Sequence, residues 1–83
     1  MTKEQIIQKT NAFFRDKLDF DMSQVTPDTE LKRDLGISSV DAVAIASFAQ
    51  KTFGCSIVMA EIKAIITMED LYDYIENHLK TEN

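Results

Sequence analysis

The stretch with most chemical content is Asp34-Leu35-Gly36-Ile37-Ser38-Ser39-Val40-Asp41, where a loop hands serine hydroxyls to the start of a helix. The first turn of an α-helix leaves backbone N–H groups without intrahelical partners, and the positive end of the macrodipole lies there. An exposed anion gains about 0.3–1 kcal/mol at such a place. A serine in this turn is therefore suited to carrying a phosphodiester. Ser38, with Asp41 three residues on, has the form of a capping box, which leaves Ser39 as the first-turn serine. Other chemistries have little to draw on. The chain holds one His, one Cys and no Trp, and no pairing of nucleophile with base is evident in it. His78 reads as a charge at the end of the last helix. Cys55 reads as a buried thiol, with no partner for an internal disulfide and no Cys/His spacing for zinc.

The elements that must position this segment follow from apolar periodicity. Ile6, Ile7, Phe13, Phe14 and Leu18 recur at three-, four- and seven-residue spacings between charged residues, which predicts a helix over 3–18 with Thr2 as its cap. From Asp19 to Leu35 the pattern dissolves around Ser23, Pro27, Asp28 and Thr29. This connection is long for a compact domain, and Val25, Leu31 and Leu35 are its expected anchors. A second helix is expected from Ser38–Ser39 to Phe53, stopped by Gly54. A short helical turn is expected around Ala60 to Ala64, with Cys55 to Met59 open between helical and extended. Thr67 followed by Asp70 marks a last helix to residue 79, with Leu71, Ile75 and Leu79 as its buried stripe. The fold class is all-α, a small bundle of three longer helices and one short one with a long first loop.

Size and charge bound the rest. Eighty-three residues read as one domain, 1–83, which buries about 60–65 % of the surface that its unfolded chain exposes. With 45 % hydrophobic and 28 % charged residues it has the balance of an ordinary globular domain. A net charge of −5 disfavours nucleic acid and anionic membranes and suits basic partner surfaces and a monomeric state. The opening residues alternate apolar with charged, unlike a secretory leader, and no stretch approaches the ~20 apolar residues of a membrane span. The expected location is the cytoplasm. Residues 41–83 hold seven acids and three bases, and Glu69, Asp70, Asp73, Glu76 and Glu82 put the negative face on the last helix.

The serine segment resembles the Asp-Leu-Gly-x-Asp-Ser-Leu-Asp attachment motif of acyl carrier proteins, with Ser38 for the second Asp and Val40 for Leu. The likeness continues without gaps. Phe53 and Ile57 fall where that family has apolar residues after its second helix, and Ile65-Ile66-Thr67-Met68-Glu69-Asp70-Leu71-Tyr72-Asp73-Tyr74-Ile75 resembles its Ile-Thr-Thr-Val-x-Asp-x-x-Asp-Tyr-Ile run. The resemblance implies that a phosphopantetheinyl transferase moves a 4'-phosphopantetheine arm from coenzyme A to a serine, and that the arm's thiol holds acyl groups as thioesters. The family's serine stands three residues after its glycine, which selects Ser39 over Ser38. The attachment motif is then Asp34, Leu35, Gly36, Ser38, Val40 and Asp41 around Ser39. On this reading the protein is a carrier, not an enzyme, and its partners are the transferase and acyl-transferring, condensing or ligating enzymes of fatty-acid, polyketide or a related dedicated pathway.

The second helix departs from the family. Where the resemblance leads one to look for acids stand Ala44, Gln50 and Thr52, and between Val40 and Phe53 only Asp41 is acidic while Lys51 is basic. Helical spacing assigns Ala42, Ile45, Phe48 and Ala49 to the core and turns Val40, Val43, Ala44 and Ser47 outward above Gln50 and Lys51. Val40, Asp41, Val43, Ala44, Ser47 and Lys51 form a candidate docking face that relies on apolar contact and shape; a plain small-residue helix surface is the alternative. Cargo either lies on the surface or enters by parting Ile45, Phe48, Ile57, Ile62 and Tyr74. A peptidyl, aminoacyl or D-alanyl carrier shares the bundle, the serine and the arm. An unmodified helical interaction module is the competing class.

Overall fold

The computed structural model describes residues 1–79, so the expected charge at Glu82 lies outside the described residues. Helix α1 spans Lys3–Lys17. Thr2 caps it reciprocally with Gln5: Thr2 Oγ1 accepts the Gln5 N–H at 3.2 Å, and Gln5 Oε1 accepts the Thr2 N–H at 3.0 Å. Ile6, Thr10 and Phe14 recur one helical turn apart and make its buried stripe. Asp19 takes a left-handed φ of 64°, which swings the chain so that the Phe20 N–H reaches the Phe14 carbonyl at 3.1 Å.

The long connection is more ordered than its composition suggests. Asp21 Oδ1 accepts both the N–H and the hydroxyl of Ser23, closing a 3-10 turn over Met22–Gln24. Farther on, the loop is stitched to the start of the last helix. The Leu31 N–H donates to the Ile66 carbonyl, the Met68 N–H to that of Thr29 and the Glu69 N–H to that of Pro27, each at 2.9 Å. Of the three expected anchors, Leu31 is buried, while Val25 and Leu35 are half-buried against the core.

Helix α2 spans Ser39–Phe53 and stops at Gly54, whose φ of 70° suits a residue without Cβ. Cys55 to Val58 form no helix, and α3 follows over Met59–Ala64. Helix α4 covers Met68–Asn77, with a reciprocal cap between Thr67 and Asp70. It ends two residues before the expected limit: His78 is its C-cap, and Leu79 is half-buried beyond it. The His78 Nδ1–H reaches the Tyr74 carbonyl at 2.8 Å, a helix-end placement consistent with the sequence reading.

Helix α1 packs against α4 and α2 against α3. Lys3 Nζ lies 2.7 Å from Glu69 and 2.6 Å from Asp73, bonds that hold the lysine's pKa well above its ordinary value and join the two helices. The pairs of helices meet at Phe13 and Phe48, whose rings stack at 4.4 Å. Phe48 is thus half-buried at this seam and not in the central core, where Ala46 sits beside Ile45 and Ala49. Small alanines let α2 approach its neighbours closely, and Ile6, Phe14, Met68, Leu71 and Ile75 fill the centre. Cys55 is buried, its Sγ–H directed at the Ile75 carbonyl at 3.6 Å.

Candidate functional site

The approach to α2 is a tight turn in which the Asp34 N–H donates to the Glu30 carbonyl, the Gly36 N–H to that of Lys32 and the Ile37 N–H to that of Leu31. Gly36 adopts a φ of 66° with no atom near its missing Cβ, so the glycine answers a backbone requirement, not crowding. Asp34 locks the turn: Oδ2 accepts the Glu30 N–H at 2.8 Å and Oδ1 the Arg33 Nε–H at 3.2 Å. Those bonds, the backbone one first, pull its carboxyl below the ordinary range.

Ile37 then turns into the core with Ala42, the two positions at which a hydrophobic staple fixes the entry angle of a helix. Ser38 and Ser39 are left outside. Ser38 Oγ accepts the Asp41 N–H at 3.2 Å and Asp41 Oδ2 accepts the Ser38 N–H at 3.1 Å. Among the described residues the Ser39 hydroxyl has no hydrogen-bond partner, and neither do the N–H groups of Ser39 and Val40. The outcome is an exposed hydroxyl beside two free donors at the start of a fifteen-residue helix.

Ser38 and Ser39 rim a pocket of about 70 Å³ that runs between α2 and α3. Ile37, Ala42 and Ile45 line one side, and Ile62, Ile65 and Leu71 the other; Lys32 and Lys63 are its ionisable lining residues. Of the side chains named as ones that cargo would part, Ile45 and Ile62 meet here, whereas Phe48, Ile57 and Tyr74 do not line this pocket. Sequence reasoning missed Ile37, Lys32 and Lys63, because residues 32, 37 and 63 come together only when the first loop folds over α3.

The described docking residues divide. Val40 is 78 % exposed and Val43 57 %, and Lys51 is exposed as well. Ala44 and Ser47 are half-buried and border a groove shared with Phe13, Lys17 and Leu18 of α1. Their partial burial comes from this recess between helices. The cause is the Phe13–Phe48 stack, which draws α1 up beside them. Asp41 is half-buried by its capping role.

A family model described as a phosphopantetheine attachment site matches residues 11–75. Acyl carrier proteins of Rubrobacter xylanophilus and Thermotoga maritima are each 35 % identical to this chain over 78 residues, covering 94 % of it and 96 % of theirs. The chain belongs to the acyl carrier protein family. A crystal structure of an acyl carrier protein from Thermotoga maritima superposes with a TM-score of 0.79 at 25 % identity, over 92 % of this chain and 88 % of that one. The fold also matches a doublet acyl carrier protein from prodigiosin biosynthesis, at a TM-score of 0.75 over 94 % of this chain and 38 % of that one. Acyl carrier proteins are carriers and not catalysts, and the group they carry is 4'-phosphopantetheine. The start of α2 suits such a group: a hydroxyl is free to be esterified, and unpartnered N–H groups stand beside it to meet a phosphate. Relative to the motif of other acyl carrier proteins, Ser38 takes the cap position with no loss of geometry, since Ser and Asp cap about equally well. Among the described residues no helix is long and apolar enough to cross a membrane.

Proposed function

We propose that Ser39 Oγ is the attachment point of the arm, transferred from coenzyme A by a phosphopantetheinyl transferase, and that the chain 1–83 acts as one carrier domain. The observation that carries this reading is the exposed, unpartnered Ser39 hydroxyl in the first turn of α2, three residues after Gly36. When bound, the arm supplies a thiol that holds acyl groups as thioesters. The chain's own residues do the rest. Ile37 and Leu31 anchor the turn, Ser38 and Asp41 fix the first turn of the helix, and Ser39 is presented outward.

Cargo passes to acyl-transferring, condensing or ligating enzymes in a fatty-acid, polyketide or related dedicated pathway, with the protein working as a monomer in the cytoplasm. Docking uses Val40 and Val43 as apolar contacts, with Asp41 at the top of α2, Lys51 at its base and the recess at Ala44 and Ser47 between them. Support for an apolar mode comes from the exposure of both valines and the scarcity of acids on α2. Incubation with coenzyme A and a broad-specificity transferase is the test, read by intact-protein mass spectrometry. The wild type gains one phosphopantetheine and Ser39→Ala gains none; an unmodified wild type would sink the reading.

A further inference from the structure

We propose that Lys32 and Lys63 form an oxyanion-binding pair at the mouth of the pocket beside Ser39. The inference rests on the attachment reading for its biological meaning, but its physical basis is separate. Lys32 comes from the turn before α2 and Lys63 from the last turn of α3, 31 positions apart in the chain, and both line the pocket that Ser38 and Ser39 rim. They also line the adjoining recess with Glu30, Ala64 and Ile66. The two pockets thus share a rim carrying both lysines.

The acids nearby are already engaged. Glu30 lies 3.2 Å from Arg33 Nη1, and Asp34 lies 3.2 Å from Arg33 Nε. Asp41 is turned back onto the Ser38 N–H, and Glu61 accepts the Tyr74 hydroxyl at 2.8 Å. Arg33 is therefore shared between the two carboxylates of the turn and offsets one of their two charges. Lys32 and Lys63 form no ion pair among the described residues. Although the chain has a net charge of −5, the ionisable residues that line this pocket are both cationic. An ammonium on a flexible stem binds phosphate or carboxylate as a point charge, and its field is strengthened where low-dielectric walls adjoin. The apolar interior of Ile37, Ile45, Ile62 and Leu71 provides such walls.

The ligand chemistry is an oxyanion presented at the rim. It has two sources: the phosphodiester that joins the arm to Ser39, or a carboxylate borne by short cargo folded back along the pocket. The pocket's volume of about 70 Å³ suits a small group there and not a long chain.

The experiment begins with the unmodified chain, so it does not depend on attachment. Inorganic phosphate and acetate are titrated in separately at constant ionic strength, with chloride as control, and followed by NMR at the Lys32 and Lys63 side chains and the Ser39 N–H. Phosphate is expected to shift all three. Lys32→Ala and Lys63→Ala are each expected to weaken binding about two- to fivefold, the scale of an exposed ion pair. Both lysines are exposed, so the variants keep the fold. The arm-bearing protein then separates the sources. Lysine shifts already present in the thiol form assign the phosphodiester; shifts that appear with a succinyl load and not with a butyryl load assign the cargo carboxylate. Shifts no larger than those from chloride, or phosphate affinity at the Ser39 N–H unchanged when Lys32→Ala and Lys63→Ala are combined, overturn the proposal. Failure of attachment shows separately, as an absent mass gain, while the titration of the unmodified chain still decides the lysine pair.

Discussion

Ser38 and Asp41 cap one another: Ser38 Oγ accepts the Asp41 N–H, and Asp41 Oδ2 accepts the Ser38 N–H, at 3.2 and 3.1 Å. The exchange uses the hydroxyl of one serine and thereby distinguishes it from the next. Ser38 is committed to the helix, and Ser39 is free. Ser38→Ala removes one half of the exchange and is expected to lower stability by about 1 kcal/mol, read as a fall in the urea midpoint without change in slope. Ser39→Ala, which removes a hydroxyl that caps nothing, is expected to change the unfolding free energy by no more than about 0.5 kcal/mol. Equal losses from the two would contradict the division of labour.

Thr10 is fully buried in α1, and its hydroxyl has no partner among the described residues. A buried unsatisfied hydroxyl costs about 1–3 kcal/mol, so Thr10→Val, which keeps the shape and removes the polar group, is expected to stabilise the protein by about 1 kcal/mol or more. Chemical denaturation measures this directly. A loss of stability would mean that the hydroxyl has found a partner.

Burial pushes the Cys55 thiol above its ordinary pKa, because the thiolate would be poorly solvated there. The folded state thus holds the proton more tightly than the unfolded chain. That contribution is complete below the ordinary thiol range and is lost as pH rises through the raised value. Between neutral and alkaline pH the wild type is therefore expected to lose more stability than Cys55→Ala does. Thiol-reagent labelling of the folded protein at mildly alkaline pH should be slow, becoming fast on denaturation. Rapid labelling of the native form would refute the burial.

The weakly charged face of α2 bears on association. With Val40 and Val43 exposed and Asp41 and Lys51 of opposite sign, steering by charge is reduced. Loading by a transferase is expected to depend less on salt than it does for a carrier with an acidic second helix. Turnover with housekeeping condensing enzymes is expected to be poor. Ordinary efficiency with those enzymes would contradict the idea of a dedicated partner set.

Much of this was legible in the chain. The spacing of Ile6, Phe14 and their neighbours specified α1, and the Ser38–Asp41 and Thr67–Asp70 pairs specified where α2 and α4 begin, because capping is local chemistry written over four residues. The stop at Gly54 was likewise local. Phe48 was expected in the core and Ala46 was assigned no role, since periodicity weighs side-chain size, while packing here buried the small Ala46 and placed the Phe48 ring at the seam with Phe13. The order of the first loop through the bonds of Pro27, Thr29 and Leu31 to the start of α4 was hidden because those partners lie far along the chain. For the same reason the site's serine was visible in the sequence, whereas Ile37, Lys32 and Lys63 around it were not.

The function proposed for this protein depends on Ser39, and not its neighbour, carrying the arm. Fragmentation mass spectrometry of the loaded protein tests it most directly, on the peptide that contains both Ser38 and Ser39. The whole added mass is expected on Ser39, and Ser38→Ala is expected to remain a substrate for loading. Placement of the group on Ser38, or loading that survives Ser39→Ala, would contradict it.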